Sequence, residues 1–526
     1  MEAEVIMKHK FMRKMMAAVL ATTVMLTGCG STESGNTNTT ANNTETVAQN
    51  DGNADAKDPV LFDGKDTEIV MYFPGGNSNP TDLHEVEDSL NTLLADRMDG
   101  HIKIQILEWG AYADQYNLML SSGEEAGLIF APSGRYRTYA SKGQLTPITD
   151  LYEKYAPTAA TEMSKYIEAC YYGDDLYGLP TFRNMAQGTG FVCRKDLLDE
   201  TGISIDDVKT WDDVEKVLIA VQEKHPDMDL LCNSLVKMGI LDGIVNNSFD
   251  EIQSGVGQVY GGDSSKVVNI YATDKFKEIC DMAYDWNQKG YFMKDATTNA
   301  DARTSLIAAG NTFGYIVGTM YPGFLTQETS SCGYEMVGAY IGDAVLSTYN
   351  AGAHQWLGPA ACPSPEKALT VLEMLYSDPA AQNLFYYGIE GKDYVVKDEA
   401  NGLIGYPDGV DSSTVGWSNQ TWITGNGSIA YVWETEDPDV WQELKEFNDN
   451  AVLSPLYGFS YDSSNVTNEI TAITNVEEKY LTILKCGAAD VDSTLDQFLA
   501  ELETAGIQNV IDDVQTQMDS WNASQK

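Results

Sequence analysis

The chain has 526 residues and a formal charge of −45, with 78 Asp and Glu residues against 33 Lys and Arg residues. A surface so rich in carboxylates repels phosphate backbones, which excludes the nucleic-acid-binding proteins. Hydrophobic residues make up 43% of the chain, and they are enough to fill the two or three cores expected at this length.

The N-terminus has the composition of an export signal. Basic residues precede an apolar run from Met15 to Leu26, which is shorter than the roughly 20 residues that span a bilayer. The run ends in Leu26-Thr27-Gly28-Cys29, which resembles the bacterial lipobox. The resemblance implies that residues 1–28 are a signal peptide and that the sulfur of Cys29 carries a lipid anchor, as a palmitoylated lipoprotein on the extracellular face of the cell membrane. An ordinary secretory signal is the alternative.

Residues 29–60 are predicted to be a disordered polar tether. They consist mainly of Ser, Thr, Asn, Gly, Ala and Asp, a composition that buries too little apolar surface to fold. Such a flexible linker holds a folded body away from the membrane.

From Glu68 onward, strand and helix patterns alternate. Short apolar strands are predicted at Ile69–Phe73, Ile102–Ile106 and Leu128–Ala131, and apolar residues at helical spacing follow the first strand from Leu83. This alternation predicts a parallel sheet with helices on both faces, whose ligands bind beyond the carboxyl ends of the strands.

Side chains suited to ligand binding follow these predicted strands. Asn77 lies in the loop after the first strand, Trp109 follows the second, and Arg135 follows the third. Because the carboxyl ends of parallel strands share one edge of a sheet, we expect these three side chains near that edge.

Three motifs in the middle of the chain resemble a known family. They are Gly173-Asp174-Asp175-Leu176-Tyr177-Gly178-Leu179-Pro180, Cys193-Arg194-Lys195-Asp196-Leu197-Leu198 and Thr210-Trp211-Asp212-Asp213. They resemble the family 1 extracellular solute-binding proteins of ABC importers, although Cys193 stands where that family usually has Tyr. A later segment, Gly416-Trp417-Ser418-Asn419-Gln420, resembles the long carbohydrate-type lipoproteins of Gram-positive bacteria within the same family.

The resemblance implies an α/β chain with the two-lobed periplasmic-binding-protein-like fold of type II. Each lobe is discontinuous, and a hinge joins the lobes around a ligand cleft. The implied lobes are residues 61–182 plus 325–400 for lobe 1, and residues 183–324 plus 401–526 for lobe 2. The segment from Tyr334 to Ile341 is predicted to be a strand at the return between the lobes.

The sequence lacks the local motifs of catalysis and cofactor binding. It contains no H-E-x-x-H zinc motif, G-x-S-x-G elbow, P-loop or G-x-G-x-x-G fingerprint. We therefore expect no enzyme activity, no catalytic residues, no metal and no cofactor. Cysteines other than Cys29 are odd in number, and they are expected to be mainly buried free thiols, with one disulfide left open as an alternative.

Aromatic residues, which make up 10% of the chain, are the main clue to the ligand. An aromatic ring offers a flat apolar face, and a sugar ring packs its C–H surface on such a face while polar neighbours bond its hydroxyls. For any single aromatic residue, core packing is the alternative. The candidate ligand-binding residues are Asn77, Trp109, Arg135, Arg183, Asn184, Tyr321, Trp356 and Trp417.

The sequence thus predicts a membrane-anchored substrate-binding protein of an ABC importer. It would act as a monomer, capture a sugar or oligosaccharide between its lobes and deliver it to the transmembrane subunits of the permease. Three alternatives stay open: a surface enzyme that acts on glycans, a ligand sensor for a membrane receptor, and binding of peptides instead of sugars.

Overall fold

The computed structural model describes residues 57–235 and 238–525. The predicted signal peptide, the predicted anchor at Cys29 and the predicted tether as far as residue 56 lie outside the described residues. Residues 58–518 form one compact unit, which contains every site discussed below. None of the helices in the described ranges is both long and apolar enough to cross a membrane.

The strands and helices are numbered in chain order. The strands are β1 (Thr67–Gly75), β2 (Gly100–Glu108), β3 (Leu128–Ala131), β4 (Tyr171–Tyr172), β5 (Asp175–Leu176), β6 (Gly178–Pro180), β7 (Gly188–Arg194), β8 (Asp229–Cys232), β9 (Phe249–Gln253), β10 (Val256–Val259), β11 (Val268–Asn269), β12 (Thr312–Met320), β13 (Met336–Tyr340), β14 (Val345–Leu346), β15 (Gln355–Leu357), β16 (Val395–Asp398), β17 (Leu403–Gly405), β18 (Val432–Trp433) and β19 (Val452–Leu453). The helices are α1 (Leu83–Leu94), α2 (Tyr112–Ser122), α3 (Tyr136–Ser141), α4 (Tyr152–Tyr155), α5 (Pro157–Glu162), α6 (Ser164–Ile167), α7 (Lys195–Thr201), α8 (Trp211–Lys224), α9 (Asp242–Ser248), α10 (Asp274–Gln288), α11 (Arg303–Ala308), α12 (Phe324–Cys332), α13 (Thr348–Gly352), α14 (Pro365–Ser377), α15 (Pro379–Tyr387), α16 (Val440–Asn450), α17 (Thr467–Lys485), α18 (Val491–Ala505) and α19 (Ile507–Ser524).

The first large sheet has five strands in the order β2-β1-β3-β15-β6. β1 pairs in parallel with β2 and β3, whereas β15 is antiparallel to both β3 and β6. β6 therefore runs in the same direction as the first three strands, whose predicted parallel arrangement is confirmed. The carboxyl ends of β1, β2, β3 and β6 and the start of β15 share one edge, which we call the strand-end edge.

Apolar side chains at strand and helix spacing fill the core of this sheet. Every second residue of β1 from Ile69 to Phe73 is buried, as expected for a strand whose side chains alternate between faces. On α1, Val86, Leu90 and Leu94 recur every four residues and bury one face of the helix. Full burial of each such side chain stabilises the fold by about 1.5–3 kcal/mol before the cost of ordering it.

The second large sheet has the order β13-β7-β12-β8. β7 is antiparallel to β12 and β13, and β12 is parallel to β8. The strand predicted over Tyr334–Ile341 is observed as β13. Because β13 pairs with β7, it belongs to the second sheet, and the chain returns to the first sheet later than the predicted lobe 1 boundary at residue 325. The other lobe boundaries stay predictions.

Three chain segments that pass between the two sheets lie side by side. Residues 181–187 lead from β6 to β7, and residues 341–347 lead from β13 toward β15. Gln187 and Val345 exchange both backbone hydrogen bonds at 2.9 Å. The third segment leads from α16 to α17 and contains β19, which pairs in parallel with β14 of the second segment.

Asn448, near the end of α16, fastens the first of these segments. Its side chain is fully buried. The Nδ2 atom donates to the carbonyl of Arg183 at 2.8 Å, and the Oδ1 atom accepts from the backbone N–H groups of Met185 and Ala186 at 3.0 and 2.9 Å. One amide side chain therefore bonds three backbone groups of this segment at once and holds the segment against α16.

The C-terminal helices α17 and α18 pack against α10 and the turn that precedes it. The ring of Tyr271 lies 5.0 Å from that of Phe498, which in turn lies 5.3 Å from the ring of Tyr480. The cysteines of the described ranges are all free, and only Cys362 is not fully buried, which confirms the prediction of buried thiols.

Candidate ligand-binding site

Four side chains gather at the strand-end edge of the first sheet. We call them the strand-end cluster: Trp109, Tyr112, His354 and Trp422. Trp109 directly follows β2, Tyr112 begins α2, and His354 precedes β15. Trp422 comes from a later turn, and its carbonyl accepts a hydrogen bond of 2.7 Å from Oγ1 of Thr181, which follows β6.

Ring contacts hold the strand-end cluster together. The indoles of Trp109 and Trp422 lie 5.6 Å apart at an angle of 33°. The Tyr112 ring meets Trp109 edge-on at 5.7 Å, and the His354 ring meets Trp422 edge-on at 5.1 Å. Trp109 is 36% exposed, so part of its indole is open to solvent. Two indoles tilted by 33°, one of them partly open to solvent, form the kind of apolar platform on which a sugar ring can pack.

The loop after β1 borders this cluster. The backbone N–H of Ser78 donates to a carboxylate oxygen of Glu108 at 3.2 Å, which fixes the loop to the residue before Trp109. The exposed Asn77 accepts a hydrogen bond from the backbone N–H of Asn79 at 3.0 Å. Asn77 therefore lies at the strand-end edge, as the sequence predicted.

Two predicted arginines also lie at this edge. The guanidinium of the exposed Arg135 stands over the Tyr112 ring, 5.6 Å from its centroid. Arg183 is buried, and it donates from Nη1 to the carbonyl of the half-buried Asn184 at 2.8 Å and from Nη2 to the carbonyl of Asn350. Burial lowers the pKa of Arg183 to about 10, so this group still carries its charge at neutral pH.

Several buried polar atoms near the cluster have no hydrogen-bond partner. They are Nε of Arg183, Nδ1 of His354 and the hydroxyl of Tyr139. Burial, with the nearby charge of Arg183, lowers the pKa of His354 to about 2, which keeps this ring neutral. Unpartnered buried polar groups are uncommon in folded proteins, and bonding to a ligand is one reason for them.

The second sheet also ends in aromatic side chains. Tyr321 follows β12, and Tyr340 ends β13 with 38% of its surface exposed. The Tyr340 ring lies 5.6 Å from that of Phe447 on α16. A Cβ atom on Gly188, the first residue of β7, would lie 2.8 Å from the Tyr340 ring, so the close approach of this ring requires glycine. The segment 181–187, which leaves the strand-end edge after β6, enters the second sheet at Gly188.

Trp356 and Trp417 do not lie in a cleft, which corrects the expectation from sequence. Trp356 is fully buried within β15, and its Nε1 donates to the carbonyl of Ile423 at 2.7 Å. Trp417 is 1% exposed, and its Nε1 donates to the carbonyl of Phe385 at 3.1 Å. Both side chains belong to the core of the first sheet, although Trp417 falls in the segment predicted for lobe 2.

The structure thus places most of the predicted residues at the strand ends of the two large sheets. Tyr112 lies only three residues after Trp109, and a helix that starts so close to a strand end could have been noticed in the sequence. Trp422 could not be told from Trp417 by local pattern, because both lie in the same turn-rich stretch. Of the predicted residues, the strand-end edge carries Asn77, Trp109, Arg135, Arg183 and Asn184, and the second sheet carries Tyr321. Four further candidate residues were not predicted from the sequence: Tyr112, Tyr340, His354 and Trp422.

Two cavities lie apart from the strand-end cluster. They have volumes of about 190 and 360 Å³, and Ser428 and Lys445 line both of them. Neither is lined by Trp109 or Trp422, and we place the candidate site by its ring faces and not by enclosed volume. Within residues 57–235 and 238–525, no group of three or more His, Cys, Asp or Glu side chains is placed to hold a metal ion.

Comparison with protein families gives two matches. A family described as bacterial extracellular solute-binding protein matches residues 86–382, more than half of the chain. A domain of unknown function matches residues 455–523, the region of the C-terminal helices. A carbohydrate ABC transporter substrate-binding protein of Streptococcus pneumoniae serotype 4 is 25% identical over 482 residues, which cover 90% of this chain and 95% of the relative.

Solved structures resemble the described chain in fold. The N-glycan transport solute-binding protein of Streptococcus pneumoniae matches with a TM-score of 0.77 at 24% identity, over 88% of this chain and 100% of that protein. Its complex with Man5GlcNAc matches with a TM-score of 0.66 at 25% identity, over 88% and 99%. A solute-binding protein of Bifidobacterium longum infantis that binds human milk oligosaccharides matches with a TM-score of 0.63 at 15% identity, over 87% and 99%.

These matches confirm the predicted α/β two-lobed fold. They also confirm, at the level of the family, the predicted role of binding an extracellular solute for an ABC importer. The relatives are binding proteins of transporters, as expected for a chain without catalytic motifs. The chain belongs to the bacterial extracellular solute-binding proteins.

Proposed function

We propose that this chain captures an oligosaccharide between its two sheets and delivers it to an ABC permease. The observation that carries the proposal is the strand-end cluster, in which Trp109 and Trp422 form a partly open indole platform beside polar groups without partners. The names of the relatives support the same ligand class, because the relatives with named ligands bind glycans.

The two aromatic ends give the ligand two surfaces to contact. One ring stacks on the strand-end cluster, and Tyr321 and Tyr340 meet the ligand from the second sheet. A ligand that contacts both sheets only when they approach shifts the equilibrium toward the closed arrangement. The paired segments 181–187 and 341–347, with the third at β19, are short enough to act as the hinge of that motion. Closure would then present the loaded protein to the transmembrane subunits of the permease.

The remaining features of the proposal follow from the sequence. The protein is a monomer without enzyme activity, held on the outside of the cell membrane by a lipid at Cys29. A glycan-acting enzyme, a receptor-linked sensor and a peptide-binding protein are the rival functions.

A thermal-shift screen tests the proposal. The chain from Cys29 onward, with Cys29→Ser to prevent lipidation, is heated with Man5GlcNAc, other oligosaccharides, monosaccharides, peptides and amino acids. A ligand at 100 times its dissociation constant stabilises the native state by about 2.7 kcal/mol, and we expect this shift with an oligosaccharide that is recovered intact. A shift with peptides alone, or breakdown of the glycan, would contradict the proposal.

A further inference from the structure

The arginines of the described residues fall into two groups. Arg135, Arg137 and Arg183 have no carboxylate within ion-pair distance in the part of the chain that the structure describes, and their polar and ring contacts are with neutral groups. The other arginines all form ion pairs: Arg97 with Asp378 at 2.8 Å, Arg194 with Asp196 at 2.6 Å and Arg303 with Glu328 at 2.6 Å.

The three arginines without carboxylates lie around one short helix, α13. Arg183 donates to the carbonyl of Asn350 within α13. The Tyr349 ring of α13 lies close to Gly134, the residue before Arg135, because a Cβ atom added to this glycine would stand 3.4 Å from the ring. Arg137 donates from Nε to the hydroxyl of Tyr136 at 3.1 Å.

The Tyr136 hydroxyl ties Arg137 to the same helix. A Cβ atom added to Gly352, the last residue of α13, would stand 3.5 Å from this hydroxyl. We call Arg135, Arg137 and Arg183 the arginine patch, defined by their positions around α13 and not by contact between their guanidinium groups. Through Arg135 over Tyr112, the patch adjoins the strand-end cluster.

This grouping is unexpected in a chain of such charge. Acidic residues outnumber basic ones by 78 to 33, so a carboxylate is the commonest charged neighbour available to any arginine. Arg183 has also lost most of its contact with water, being 7% exposed. A buried cation without a counter-ion is unfavourable, and an anion close to it relieves that cost. Guanidinium groups bind carboxylate, sulfate and phosphate with paired hydrogen bonds.

We propose that the oligosaccharide bound by this chain carries an anionic group, which binds at the arginine patch while a neutral ring stacks on the strand-end cluster. This inference rests on the proposed function. Arg135 contacts the anion directly, because it is exposed. Arg183 is buried and acts on the anion through its charge. The anion is a carboxylate, sulfate or phosphate.

Matched pairs of glycans test the inference. Lactose and Man5GlcNAc are titrated calorimetrically into the protein, each plain and carrying one sialic acid, one sulfate or one phosphate group. We expect at least one anionic form to bind about 10-fold or more tightly than its neutral parent, the range of a hydrogen-bonded charge. Comparison of the three modified forms shows whether the protein prefers a carboxylate, a sulfate or a phosphate group.

Substitutions assign the preference to the patch. Arg135→Gln is expected to weaken binding of the anionic form about 10-fold more than binding of its neutral parent, and Arg135→Lys is expected to retain part of the preference. Lys224→Gln removes the same charge from α8, where Lys224 is exposed, and is expected to leave the preference intact. An unchanged melting temperature of Arg135→Gln confirms its fold.

Two results would overturn the inference and leave the proposed function standing. One is equal affinity for neutral and anionic glycans. The other is that Arg135→Gln weakens both forms alike, since arginine would then bond sugar hydroxyls. If no glycan binds in the screen or in these titrations, the proposed function itself fails, and the inference fails with it.

Discussion

Two pairs of tryptophans in and beside the first sheet have opposite surroundings. Trp109 and Trp422 lie beyond the strand ends, with part of the Trp109 indole open to solvent. Trp356 and Trp417 lie in the core, and each donates its indole N–H to a backbone carbonyl. The difference supports a proposed binding surface at ring faces that the core leaves uncovered, and it shows that a tryptophan is not by itself a sign of that surface.

The position of each residue along its strand explains this difference. Trp356 is the middle residue of β15, which has β3 on one side and β6 on the other. Phe73 and Phe130 cover its ring at centroid distances of 6.1 and 5.4 Å. Trp109 follows the last residue of β2, where the sheet no longer provides neighbours on both faces. Strand ends are therefore where a large ring can stay open.

Removing a core tryptophan should have the largest effect on stability. Trp356→Ala is expected to lower the free energy of unfolding by about 3–5 kcal/mol, because it leaves a cavity and frees the carbonyl of Ile423. Chemical denaturation measures this loss, and Trp356→Phe, which keeps most of the volume, should lose less. A loss below about 1 kcal/mol would show that Trp356 is not a core residue.

Asp250 on β9 is a buried side chain that can carry a charge, and it can be compared with the buried tryptophans. Burial raises the pKa of Asp250 to about 6, and its partner is the Ser454 hydroxyl. A raised carboxyl pKa adds stability at low pH that is lost as the pH rises from about 4 through about 6. The stability of Asp250→Asn relative to the unsubstituted protein should therefore grow by about 2 kcal/mol between pH 4 and pH 7.5.

Denaturation at several pH values checks the Asp250 prediction. Asp301→Asn, a change at an exposed position, serves as the matched control and should show no such growth. A constant difference between Asp250→Asn and the unsubstituted protein across this pH range would mean that Asp250 titrates normally.

Removing the open tryptophan should have the smallest effect on stability. Trp109→Ala is expected to change the free energy of unfolding by less than about 1 kcal/mol, because a side chain that is 36% exposed fills little of the core. The same denaturation experiment as for Trp356→Ala measures the change. A loss as large as that of Trp356→Ala would remove the distinction between the two pairs.

Much of the first sheet could be predicted from the sequence. The strands β1, β2 and β3 have clear apolar patterns, and Asn77, Trp109 and Arg135 follow them directly, so the general rule for parallel sheets placed these side chains correctly. The rule depends only on local pattern and strand direction, and both are readable in this part of the chain.

The later part of the chain could not be read in the same way. Trp417 and Trp422 lie in one turn-rich stretch, and only long-range packing buries the first against Phe385 and brings the second beside Trp109. The antiparallel pairing of β13 with β7 likewise depends on residues more than a hundred positions apart. Local periodicity carries no signal for either outcome, so the sequence alone does not give the residue at which the chain returns to the first sheet.

Calorimetric titration of an oligosaccharide into Trp109→Ala/Trp422→Ala tests whether the strand-end cluster binds the ligand. The glycan is the one that gives the largest shift in the thermal screen, and the unsubstituted protein and Tyr284→Ala, a change on α10 away from the cluster, are titrated beside it. We expect the double variant to stay folded and to bind the glycan about 100-fold or more weakly, because two stacking rings at the centre of the proposed site are removed. Unchanged affinity in a folded double variant would show that the ligand binds elsewhere.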